Sequence, residues 1–223
     1  MPLLRQRAGM PSYDGMCTLV PHGVPQLPLC LNTPFKRTLG VASRFLLLCG
    51  GLLSPPKGIE TILHALPAII AAVPHALLVV AGQAHPVLGE RYLESLEAQA
   101  QALRVDAHVQ FLSTFLPEAD MLHLFQVRVA PGCCHRLPAT RSQCACVPFV
   151  LLSCAQSADV FICAHTSAEQ TSSGTMLYAM TSGVTVIATP FSQAAELLSD
   201  GAGVLVPFND SVALARAVRA SNR

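Results

Sequence analysis

The stretch SAEQTSSGTMLYAM, Ser167 to Met180, gathers an acid, an amide, several hydroxyls and a glycine just ahead of an apolar run that reads as a helix start. Such residues at a helix mouth do one of two things. Ser173 and Thr175 can cap the helix, because Ser and Thr satisfy amides that have no partner within it. Alternatively, the free amides around Gly174, with the helix dipole behind them, attract an anion such as phosphate. A second group suited to an anion lies far away in sequence: Lys57 in SPPKG follows two prolines at a turn. Its flexible ammonium can reach a diphosphate there, or it is simply a solvated lysine at a helix start. Spacing inside each stretch leaves both readings open, and the surrounding elements must decide between them.

From Phe45 onward, short apolar runs alternate with amphipathic ones. FLLLCG (45–50), ALLVVAG (76–82), HVQFL (108–112), DVFICA (159–164), VTVIAT (184–189) and GVLVP (203–207) read as strands. Helices are expected over KGIETILHALPAIIAAV, GERYLESLEAQAQALRV, EADMLHLFQ, GTMLYAMTSG, SQAAELLSDG and SVALARAVRA. Strands buried on both faces and alternating with helices predict an α/β fold, a doubly wound parallel sheet in a single Rossmann-like domain. In such a sheet the ligand crevice lies beyond the carboxyl ends of the strands. The Lys57 turn and the polar cluster before Gly174 both follow strands, so both are expected at that edge, which favours the anion reading.

The apolar content of 52% is ample for a core, and 14 basic against 13 acidic residues argue against nucleic acid or an anionic membrane as principal partner. Aromatic residues are few, with no Trp, so a base-stacking surface is not expected. No apolar run has the length of a membrane span or, at the N-terminus, of a signal peptide, so the chain reads as soluble and cytoplasmic. Five of the nine cysteines fall within Val127 to Gln156, a segment with neither helical nor strand period. Zinc is the obvious thought for Cys133, Cys134, His135, Cys144 and Cys146, but adjacent Cys and Cys-x-Cys do not match the gaps of structural zinc sites, and no metal is expected. A translated intron fits better. Val127-Arg128 can be encoded as a splice donor, PFVLLSC permits a pyrimidine tract, and Gln156 can be a terminal CAG. The segment is expected as a surface loop, and transcripts that all carry it would refute the intron reading.

Several marks combine into a resemblance: VPHGV (20–24), GGLLSPPKGIETILHALPAI (50–69), LLVVAG, HVQFL, ADVFI, AMTSGVTVIAT (179–189) and GVLVPFND (203–210). Together, over about residues 18–218 less the insert, they resemble the C-terminal, donor-binding half of retaining GT-B glycosyltransferases, the glycogen synthase and sucrose synthase relatives. The resemblance implies transfer of a sugar from a nucleotide-diphosphate sugar to an acceptor hydroxyl, with no cofactor and no metal. It implies that Lys57 binds the donor diphosphate, and that Ser173, Gly174 and Thr175 line the donor site. The arginine common five residues before the lysine is Leu52 here, and the two family glutamates fall on Gln170 and Tyr178. Glu169 stands beside the first and is the substitute, so Lys57 and Glu169 are the catalytic candidates; Tyr178 can offer its hydroxyl to a ribose. Glu196 matches a glutamate near the donor. His22 and Gly23 match the connection between the family's two domains, and His85 lines a further crevice loop. On this reading residues 1–40 are a remnant or linker to an absent acceptor-binding N-terminal domain, and 41–223 are the donor-binding domain, interrupted at 127–156. The alternative is a non-catalytic nucleotide-binding or scaffold module, or a truncated gene-model fragment.

Overall fold

Leucine-rich and valine-rich runs without a polar side chain must be covered on both faces, and the central runs of this chain are. The computed structural model describes residues 36, 41–83, 90–112 and 158–222. Within these lie β1 (Phe45–Gly50), β2 (Ala76–Ala81), β3 (Val109–Leu112), β4 (Val160–Cys163), β5 (Thr185–Ala188) and β6 (Val204–Leu205). The helices are α1 (Ile59–Ala72), α2 (Glu90–Ala102), α3 (Gly174–Thr181), α4 (Ser192–Leu198) and α5 (Ser211–Ser221). All neighbouring strands pair parallel, in the order β3-β2-β1-β4-β5-β6. The doubly wound α/β sheet is therefore as expected. The expected helix over 118–126, the insert at 127–156, the 1–40 linker with His22 and Gly23, and His85 lie outside the described residues.

Side-chain alternation sorts the core into two layers. Leu47, Cys49, Leu78, Val80, Val160 and Ile162 point to the side covered by α1, α2 and α5. Leu46, Leu48, Val79, Phe161, Val186 and Ala188 point to the side covered by α3 and α4. The order of strand addition reverses between β1 and β4, parallel neighbours in the sheet but distant in sequence, with Leu47 facing Val160. At such a switch point the loops leaving the two strands part to opposite faces and open a crevice between them.

Several element ends differ from the sequence reading, three of them for a local reason. Lys57 ends a 3₁₀ turn, Pro55–Lys57, instead of starting the helix; Gly58, in the left-handed region at φ +64°, breaks the chain before α1. His108 closes another 3₁₀ turn ahead of β3. The last strand is only Val204–Leu205 and both residues are 38% exposed, because β6 is a sheet edge that pairs only with β5 among the described residues. Among the described residues, no helix is long and apolar enough to cross a membrane.

One ion pair ties the start of the domain to the sheet. Lys36 Nζ bonds Asp159 Oδ2 and donates to the Arg44 carbonyl at 3.1 Å, while the same Asp159 oxygen accepts from Leu46 N–H at 2.6 Å. Removing the carboxylate strands a largely buried ammonium and a strand amide together. Asp159→Ala is expected to lower stability by about 2–3 kcal/mol in chemical denaturation. A loss below about 0.5 kcal/mol would mean that the pair behaves as an exposed surface bridge.

Candidate anion site at the switch point

The turn leaving β1 is built by two glycines. Gly51 has φ +119°, a backbone conformation that L side chains rarely adopt, and its N–H donates to Ala81 O at 3.0 Å. Gly58 presses the Pro55–Lys57 turn onto the end of β4 so closely that a Cβ there would lie 2.0 Å from Ala164 O. The turn is pinned from the other side as well. Pro56 O accepts from Thr166 N–H at 3.1 Å and from His165 Nδ1 at 3.2 Å.

This docking sends Lys57 back over Gly51. The point where a Cβ on Gly51 would stand is 3.4 Å from Lys57 Nζ and 3.3 Å from Thr175 Cγ2. The ammonium and the start of α3 therefore converge on one spot from different loops, on the same side, above a residue with no side chain. Among the described residues Lys57 Nζ has no hydrogen-bond or ion-pair partner, and the side chain is half-buried.

At α3 the cap and the cradle coexist. Ser173 is the N-cap, and its buried Oγ accepts from Met176 N–H at 3.3 Å. The same oxygen lies 3.0 Å from Thr175 Oγ1 and accepts from Cys163 Sγ at 3.6 Å. Gln193 of α4 steadies the loop: its Oε1 accepts from Ser173 N–H at 2.7 Å and its N–H donates to Thr171 O at 3.2 Å. The N–H groups of Gly174 and Thr175 have no partner among the described residues, so two first-turn amides remain for an anion.

The other candidates are more scattered. Tyr178, half-buried, stands one turn along α3 from Gly174 and so shares its face. Gln170 turns its Nε2 back onto Ser172 O at 2.6 Å, and Glu169 is exposed on the same loop, its N–H held by Ser167 Oγ at 3.1 Å. Glu196 is exposed on α4, and no hydrogen bond among the described residues joins it to the cluster; Gln193, one turn earlier, is the α4 residue that touches it. The periodic reading passed over Gln193 because an amide at a helix start looks like surface.

Beneath the turn lies a small hollow with room for about one water-sized group, lined by Cys49, Gly50, Leu53, Lys57, Cys163 and His165 among others. Burial pushes the Cys49 thiol up to about 12 and the Cys163 thiol up to about 11, so both stay protonated at neutral pH. Burial first, and the Lys57 ammonium second, pull His165 down to about 4, against a smaller opposing effect of Pro56 O. Lys57 is then the one charge among the lining residues, in surroundings that strengthen its field. His165 was not read as a site residue, although it directly follows a strand whose loop belongs to the crevice; a histidine in an apolar run gives no periodic signal.

The histidine makes stability depend on pH. An unfolded chain protonates it near 6.5 and the folded chain only near 4, so its contribution is complete above about pH 6.5 and drains as pH falls toward 4. Between pH 7.5 and pH 4.5 the protein is expected to lose about 2–3 kcal/mol more than the His165→Asn variant, measured by urea denaturation. Parallel losses in the two proteins would refute the buried neutral state.

Residues 137–221 match the family model Glycosyl transferases group 1. The match starts within 127–156. No curated protein matches the chain. Among solved structures, the chain is similar to Anabaena Alr3699/HepE in complex with UDP and glucose, at 23% identity and a TM-score of 0.61, covering 86% of this chain and 42% of that one. The same protein in complex with UDP-glucose gives 21% identity and a TM-score of 0.63, over 86% and 43%. The C-terminal domain of the glycosyl transferase group 1 family protein LpcC from Francisella tularensis gives 18% identity and a TM-score of 0.62, over 86% of this chain and 82% of that domain. This chain thus spans less than half of the HepE chain and about four fifths of an isolated C-terminal domain. At these identities the likeness to solved structures is one of fold. The fold, and the group 1 match over residues 137–221, agree with the resemblance to a GT-B C-terminal domain.

Proposed function

We propose that this chain is the donor-binding half of a glycosyltransferase that moves a hexose from a nucleotide-diphosphate sugar to an acceptor hydroxyl. The convergence of Lys57 Nζ and the α3 start on Gly51 carries the reading, because a diphosphate needs a cation and aligned amides facing one gap. In the reaction, departure of the nucleotide breaks the bond between the sugar and the diphosphate, and the negative charge that develops falls on phosphate oxygens. Lys57 and the Gly174 and Thr175 amides would stabilise that charge, so the reading assigns no step to a metal or other cofactor. HepE, crystallised with UDP-glucose, is the precedent among proteins of this fold. Acceptor binding would come from an N-terminal domain supplied by more chain or by a partner, and the reading places the protein in the cytoplasm.

The second reading, a non-catalytic nucleotide-binding module, has its own support. Leu52 is 43% exposed at the position where the family resemblance calls for an arginine, and neither Gln170 nor Tyr178 is a carboxylate.

A thermal-shift series on the full chain with UDP, GDP and their sugars tests the common claim. At about a hundred times the dissociation constant, a true ligand is expected to raise Tm by roughly 5 °C or more. No shift with any of them would overturn both readings. Turnover of the bound nucleotide sugar once an acceptor domain is supplied would decide for the enzyme, and tight binding without turnover for the module.

A further inference from the structure

The ladder between β1 and β4 is short. It covers Leu47 with Val160 and Leu48 with Phe161 and then stops, whereas β1 pairs with β2 as far as Gly50 and β4 pairs with β5 as far as Cys163. The two central strands therefore part at their carboxyl ends, and the small hollow lined by Cys49, Gly50, Cys163 and His165 lies in the parting. Backbone N–H groups point to alternate sides along a strand, and Gly51 N–H goes to Ala81 O on the β2 side. The Gly50 N–H accordingly faces β4, one step beyond the last rung.

His165 closes the other side, with 2% of its surface exposed. Its Nδ1 lies 3.2 Å from Pro56 O; a carbonyl can only accept, so Nδ1 carries the proton and Nε2 of the neutral ring keeps a lone pair. Nε2 is the only buried side-chain nitrogen or oxygen without a partner among the described residues. A buried acceptor that meets no donor is costly, and the hollow has room for about one water. Charge narrows the occupant further. An anion would meet the Nε2 lone pair, and a cation would meet the ammonium of Lys57, which lines the same hollow. Water both donates and accepts.

We infer that one water is built into the parting of β1 and β4, donating to His165 Nε2 and accepting from Gly50 N–H, so that it replaces the rung the two strands do not make. It sets the spacing of the strand ends beneath Gly51, and with it the floor over which Lys57 and the start of α3 face each other. This internal site stands whether or not a nucleotide sugar binds above it.

A high-resolution crystal structure of the full chain at neutral pH tests the site. One peak of water density is expected about 2.7–3.2 Å from both Nε2 and Gly50 N. No peak there, or Nε2 bonded directly to a protein group, would overturn the inference. In solution, the ¹⁵N signal of Nε2 is expected upfield of a bare imidazole nitrogen, and the Gly50 amide proton is expected to show cross-relaxation with water of the sign given by a long-lived bound molecule. A bare-nitrogen position, or a Gly50 amide without that signal, would overturn it equally. Neither measurement needs a variant to fold. His165→Asn keeps a donor for Pro56 O but has nothing at the Nε2 position, and it is expected to lose both the density and the Gly50 signal. Persistence of either in that variant would mean that the histidine does not hold the water, against the inference.

Discussion

Lys57→Ala is expected to weaken binding of UDP and of pyrophosphate by roughly thirty- to a hundredfold while leaving the fold intact. The ammonium is the one charge among the residues around the hollow, it is half-buried, and it has no protein partner among the described residues. Its interaction with a diphosphate would thus be a charge-assisted hydrogen bond in an apolar setting, worth about 2–3 kcal/mol. Because no protein group loses a partner, Tm without ligand should change by no more than a degree or two. Lys57→Arg keeps the charge, but its planar fork must fit over Gly51, so partial recovery is expected. Isothermal titration calorimetry on the three proteins checks this. Undiminished pyrophosphate binding by the alanine variant would remove the lysine from the site.

Gly58→Ala carries the second large effect, this time on stability. Two penalties add: a left-handed backbone at φ +64°, and a Cβ that would fall 2.0 Å from the main-chain oxygen of Ala164, which cannot rotate aside. Together they are expected to cost on the order of 3–4 kcal/mol in the denaturation midpoint, with loss of UDP binding as the Lys57 turn lifts off β4. Gly201 supplies the control. It has φ +83° with nothing within 4 Å of its would-be Cβ, so Gly201→Ala should cost about 1 kcal/mol, the backbone part alone. Equal losses at the two positions would mean that the turn is not pressed against β4 as described.

These two predictions mark what could be read from the residues and what could not. LLLC, LLVV and VFIC admit only a covered strand, and their alternation with helical stretches leads to a doubly wound sheet without any contact being known. Two loops following strands then had to gather at one edge, which is how Lys57 and the α3 start were paired across more than a hundred residues of sequence. Details set by the backbone escaped. Pro55-Pro56-Lys57 reads equally as a helix start or a separate turn, and only the left-handed Gly58 distinguishes them. Val204 and Leu205 are as apolar as the inner strands, yet lie at an edge, because burial depends on neighbours and not on composition. Hydrogen-bond partners escaped too. Ser173 was legible as cap or cradle, but its bonds to Met176 N–H and Gln193 depend on how α4 packs. Gln170 matches a family glutamate in sequence and closes a local turn in space. His165 carried no periodic signal at all, since its importance comes from Pro56 lying against one ring nitrogen and nothing lying against the other.

The central claim is that first-turn amides of α3 and the Lys57 ammonium close around one anion above Gly51. Titrating the ¹⁵N-labelled full chain with pyrophosphate and following backbone amide shifts tests it most directly. The account expects the Gly51, Gly174 and Thr175 signals to move together with a single dissociation constant, Met176 moving less because Ser173 Oγ already holds its N–H. Shifts confined to other surfaces, with those three amides unmoved at saturation, would contradict it.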